Sequence, residues 1–222
     1  MGLTCQCPAA QALETIPAVA CGENFGQIQK VAFQRLKQAD GTINEIGDTH
    51  ILLKDTWTAL MAATAGTKVV ISPFIENPTS EPGAARTFGG GNETLGGVEE
   101  VLGSEPTAFS SVLRRVPQSV IKKMKSLMCE AAAGNLGVYL FNENGQIECV
   151  KVVTTTAGTN PTTTTTYRPI PVRALFVSDK GHGGLENPDN NNLSWSFPPN
   201  YSDDLAIVTP SDFNPLDLTP AT

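Results

Sequence analysis

Two apolar, β-favouring runs, residues 137–141 and 146–153, are joined by a short segment holding Asn144-Gly145. That dipeptide accepts the positive φ angles of a tight reversal, so the pattern predicts an antiparallel hairpin. A chain that reverses a β-ribbon here needs further strands to cover it, because an isolated hairpin is marginal in water. The composition supplies the means. With 20 Gly, 16 Pro and only 17% charged residues there are many turns and few solvated helical faces, while a 40% apolar fraction excludes wholesale disorder. The expected class is mainly β, a sandwich or barrel of antiparallel strands with one or two flanking helices.

Further strands are predicted over residues 27–36, where Val31 and Phe33 alternate with Lys30, Ala32 and Gln34 and imply one buried face, and over 68–75, ended by Pro78. Later strands are expected at 168–178, 193–197 and 205–208. One clear helix is predicted over 117–133, since Val120, Ile121, Met124, Leu127 and Met128 form a stripe opposite Lys122, Lys123 and Lys125, with Gly134 as its stop. A shorter helix starts at Asp55 and carries Trp57, Leu60 and Met61, and residues 107–115 suit one separate helical turn.

The organisation reads as an N-terminal arm, 1–26, followed by a single β-rich domain, 27–222, with insertions at 77–103 and 154–166. The first insertion is rich in Gly and Pro and predicts a long loop or extended hairpin. The second is nearly all Thr and predicts a projecting extended loop or a disordered one.

The formal charge is −7. From residue 181 onward there are six acids (Glu186, Asp189, Asp203, Asp204, Asp212, Asp217) and no Lys or Arg, so ordinary nucleic-acid binding is disfavoured by phosphate repulsion. Five cysteines form an odd count that fits a reducing compartment, and no run approaches the ~18 apolar residues that span a bilayer. No membrane partner is expected.

Candidate chemistry is sparse. His50 and His182 lie in no catalytic motif, no nucleophile signature is present, and Gly89-Gly90-Gly91-Asn92-Glu93-Thr94 lacks the Lys and Ser/Thr that complete a phosphate loop. Cys5, Cys7 and Cys21 lack zinc-site spacing. No catalytic residue, cofactor or metal site is expected, and the chain does not read as an enzyme. The 77–103 segment is too polar for a core and too long for an ordinary connection, which marks Arg86, Phe88, Glu93, Glu99 and Glu100 as recognition residues.

Three stretches, Asp55-Thr56-Trp57, Arg86-Thr-Phe-Gly-Gly-Gly-Asn-Glu-Thr94 and Thr209-Pro-Ser-Asp-Phe-Asn-Pro-Leu-Asp-Leu218, resemble virion-type proteins of phages and prophages of gut Bacteroidetes. The order of elements over residues 27–218 resembles the tail tube proteins of long-tailed phages. This resemblance implies a β-sandwich with a flanking helix, synthesised in the host cytoplasm and assembled in the virion tail as stacked hexameric rings. The implied partners are further copies of the chain, the tape measure, terminator and baseplate or tip proteins, and DNA only in transit through the lumen. Arg86, Phe88, Glu93, Glu99 and Glu100 then become inter-ring contacts, and the Lys122, Lys123 and Lys125 face lies outside the lumen; no particular acid is assigned to the lumen wall. Two other readings stay open. One is a different virion part, such as a head decoration, terminator or connector protein; the other is a carbohydrate-binding or adhesin module that stacks sugars on Trp195 and Tyr201.

Overall fold

A computed structural model describes residues 15–19, 23–157 and 161–219. The Cys5, Cys7 and Cys21 group and most of the expected N-terminal arm lie outside these residues. In chain order the elements are β1 (Ile28–Arg35), β2 (Ile46–Gly47), α1 (Lys54–Ala62), β3 (Val69–Ile71), β4 (Glu76–Glu81), β5 (Ala85–Gly89), β6 (Glu99–Ser104) and β7 (Thr107–Arg114). There follow α2 (Gln118–Ala132), β8 (Leu136–Asn142), β9 (Ile147–Thr155), β10 (Thr163–Arg168), β11 (Ile170–Val177), β12 (Asn190–Phe197) and β13 (Leu205–Val208). The mainly β class expected from the sequence is observed.

All strand pairs are antiparallel, and most of them close a ring. β8 pairs with β1 on one edge and β11 on the other; β11 pairs with β12, β12 with β7, and β7 with β4. β3 pairs with β1, and its continuation stays there, because the amides of Ser72 and Ile75 donate to the carbonyls of Val31 (2.8 Å) and Gln29 (2.9 Å) before β4 crosses to β7. Residues 69–81 thus pair with β1 first and β7 second, and the ladder returns to its start as a barrel. Its bends carry local irregularities: the register shifts within β11 between Arg173 and Phe176, where Ala174 has φ 52°, and within β4, where Asn77 has φ 50°.

A smaller sheet grows from the predicted hairpin. β8 and β9 pair only near their turn, then diverge, and the continuous stretch β10–Pro169–β11 fills the wedge by pairing first with β9 and then with β8. β2 extends β10, and β13 takes the other edge of β9. Closure of the wedge depends on Gly137, because a Cβ there would lie 2.7 Å from Pro169 Cβ and 2.8 Å from Leu36 Cδ2.

Two apolar clusters result. Val31 and Phe33 of β1, Leu136, Val138 and Leu140 of β8, and Leu193, Trp195 and Phe197 of β12 belong to the barrel cluster, together with Ile121 and Met124 of α2. Ala32, Tyr139 and Phe141 project from the other faces of β1 and β8 into a second cluster with Trp57 and Met61 of α1 and Ile147, Cys149 and Val208. Burying each such aliphatic or aromatic side chain contributes about 1.5–3 kcal/mol. Trp57 packs edge-on against Tyr139 and Phe141 at 5.2 and 5.6 Å and donates from Nε1 to the Ile51 carbonyl at 3.0 Å.

Several expectations are corrected. β1 is buried on both faces rather than one, since Lys30, Ala32 and Gln34 are enclosed by the second cluster. Residues 107–115 are not a helical turn: Phe109, Ser111 and Leu113 alternate inward along β7, which pairs with β12 over eight consecutive residues. Pro78 does not end a strand but sits inside β4, so residues 76–81 belong to the barrel. Asp55 does not cap α1, because the Lys54 amide donates instead to the Asp212 carboxylate, 158 residues away. The described part of the Thr-rich segment is paired at its base, where Thr154 and Thr155 lie opposite Thr164 and Thr163 in a strand ladder, while residues 156–157 and 161–162 lie outside the strands.

In the hairpin only Gly145 takes positive φ, 73°, and the turn is organised by Asn142. The Asn142 carbonyl accepts from the Gly145 amide, and its side-chain Oδ1 accepts from the amides of Asn144 (3.0 Å) and Gln146 (2.8 Å). Replacing Gly145 by Val forces a β-branched residue into left-handed backbone and sets its Cβ 3.1 Å from Asn214 Oδ1. The expected loss is about 1–2 kcal/mol, measured by urea denaturation.

Candidate functional site

β5 and β6 form a two-stranded sheet of their own, separate from the eleven-stranded one. They leave the body at one point, where the Glu105 amide donates to the Ala84 carbonyl at 2.8 Å. All five recognition residues named from the sequence are brought together on this arm. Arg86 and Phe88 lie on β5 and Glu99 and Glu100 on β6, with Phe88 directly opposite Glu100 and Gly89 opposite Glu99. Glu93 lies in the connecting tip.

The arm holds its shape by short polar contacts. Arg86 Nε donates to Glu105 Oε1 at 2.8 Å across its base, and at the tip Thr94 Oγ1 accepts from the Gly90 amide (3.1 Å) and donates to the Val98 carbonyl (2.6 Å). The glycine run therefore closes a hairpin rather than cradling an anion. Phe88, Val98, Val101 and Leu102 are each more than half exposed. Sequence reasoning named Phe88 but missed the other three, because a Gly-flanked apolar run reads equally well as a strand with a buried face. Exposed apolar side chains grouped on one projecting element mark an interaction surface.

A second ribbon, the ends of β9 and β10, extends beyond β13 and β2. Thr155 and Thr163 hydroxyls meet at 3.2 Å, and Val153 is half-exposed. The basic face of α2 carries Lys122 and Lys123 exposed, while Lys125 pairs with Asp179. Of the six late acids, Asp189 pairs with Lys180 and His182, Asp212 caps α1, and Asp217 lies close enough to Lys30 to favour its charged form.

Groups capable of chemistry do not converge among the described residues. Among the described residues no three His, Cys, Asp or Glu side chains are placed to hold a metal ion. His182 is an exposed partner of Asp189 at 3.3 Å, and the buried Cys149 thiol has its pKa pushed far up by desolvation, which keeps it protonated and unreactive. Trp195 is corrected as a sugar platform: it is buried in the barrel, stacked on Phe109 at 3.9 Å, while Tyr201 stacks on Phe197. Among the described residues no helix is long and apolar enough to cross a membrane. In comparison with known proteins, no family model, no curated protein and no solved structure matches this chain.

Because the arm leaves and re-enters the body one hydrogen bond apart, a short turn can replace residues 85–104. The shortened protein is expected to unfold within about 1 kcal/mol of the full chain, read by urea denaturation, since the lost apolar side chains are exposed. A second outcome concerns Glu148, which faces the same side of β9 as Val150 and has no hydrogen bond or ion pair among the described residues. Burial raises its carboxyl above the ordinary 4.5. The folded state thus binds a proton more tightly than the unfolded one, and stability is lost as pH rises through the raised value. Glu148→Gln is expected to raise the melting temperature at pH 7.5 and to leave it unchanged at pH 3.5.

Proposed function

We propose that this chain is a structural subunit that assembles with copies of itself, forming the stacked hexameric rings of a phage tail tube. The observation that carries this reading is the arm: a separate hairpin presenting Phe88, Val98, Val101 and Leu102 to solvent, joined to a barrel whose ladder runs from β1 round to β4. An arm of this kind gains by being covered, and covering it does not require the body to unfold.

Charge supports the same reading. A subunit of formal charge −7 repels phosphate, so DNA passing along a channel of such subunits is not held by its wall. Tape measure, terminator and baseplate or tip proteins are the further partners of such a tube. The carbohydrate-binding alternative loses its stacking platform with the burial of Trp195.

Negative-stain microscopy of the purified protein tests the proposal. Hollow, open-ended tubes are the expected result. Single closed rings transfer the chain to the terminator or connector class, and monomers at every concentration overturn self-assembly.

A further inference from the structure

A groove opens between β1, β3 and α2. Its floor is Phe33 and Leu136, its walls are Val70 and Leu127, and it encloses about 250 Å³. One lip is the loop after α1, which is held in place by side chains from beneath: Asn44 Nδ2 donates to the Gly66 carbonyl at 2.8 Å and Gln34 Nε2 to the Thr67 carbonyl at 2.7 Å. The other side carries the Arg35–Glu130 ion pair, which is internally neutral. Lys68 stands at the rim just ahead of β3, two residues before Val70, and forms no ion pair among the described residues. The groove is thus a pre-formed apolar hole with one uncompensated positive charge beside it.

The arm presents the converse pattern. Phe88 is an exposed aromatic, and its cross-strand partner Glu100 projects from the same face and also forms no ion pair among the described residues. We propose that the arm of one copy docks in this groove of the next copy, with Phe88 filling the hole over Phe33 and Leu136 and Glu100 pairing with Lys68. The proposal rests on the self-assembly reading and assigns its contact. Arm and groove are different surfaces, so the contact is heterologous. It propagates as an open stack rather than closing a two-fold dimer, as a tube requires. The aromatic supplies the anchor and the charge pair fixes the register.

The test uses Lys68→Glu, Glu100→Lys, the doubly reversed chain and Phe88→Ser, each checked for a wild-type circular dichroism spectrum and compared by sedimentation. Each single reversal is expected to raise the concentration needed for half-assembly by about tenfold or more, and Phe88→Ser by at least as much. The double reversal is expected to restore assembly. Mixing the two single variants should also restore it, because copies can alternate so that every contact carries opposite charges, and an intramolecular contact predicts no such rescue. The proposal is overturned if folded single variants assemble like wild type or if neither rescue occurs. Failure of the wild-type chain itself to assemble overturns both this contact and the tail tube reading, whereas tubes indifferent to these substitutions overturn the contact alone.

Discussion

Strand β8 has no solvent face. Leu136, Val138 and Leu140 belong to the barrel core and Tyr139 and Phe141 to the second core, and every residue of the strand is buried. Both of its edges are also taken, one by β1 and the other shared between β9 and β11. The cores are therefore two sides of one ladder. Polar atoms caught in this layer must be satisfied locally, and they are: Tyr139 donates to Gln34 Oε1 at 3.1 Å, and the nearly buried Lys30 ammonium donates to the Leu216 and Leu218 carbonyls, both at 2.8 Å. Lys30 thereby ties the C-terminal stretch over the second core, at the cost of a pKa lowered by burial and only partly restored by Asp217.

A body built in this way can leave its periphery free. The barrel ladder turns back on itself through β3 and β4, which leaves fewer open edges to invite uncontrolled strand addition. What projects instead are two ribbons, the arm and the threonine ladder. Their exposed groups are outside both cores, so what the ribbons present and the residues that hold the fold together are different sets. Under the self-assembly proposed above, contacts made by the arm would form without competing with folding.

Much of the fold was legible in the sequence where short-range chemistry decides it. Asn144-Gly145 located the hairpin, and the apolar stripe from Val120 to Met128 located α2 almost to the residue. The failures share a different cause. Thr107–Arg114 pairs as a strand because β12 lies beside it, and Ser110-Ser111 conceals the alternation until Ser111 is seen to be buried, donating to the Leu193 carbonyl. Asp212 caps α1 from the far end of the chain, which no local pattern can announce. The candidate site was half legible: length and polarity singled out the arm and its charged residues, but the groove is made from β1, β3 and α2, whose residues are separated by up to a hundred positions and share no motif.

Native-state hydrogen exchange, followed on the dilute monomer and on the assembled protein, tests the account most directly. The expected result is that β8 and β1 amides are the slowest to exchange in both states and report one global opening, while β5 and β6 amides exchange rapidly in the monomer and become protected only on assembly. Equal protection of the arm in both states, or β8 amides no slower than those of the arm, would contradict a body held by one doubly buried strand and joined to its neighbours through a separate hairpin.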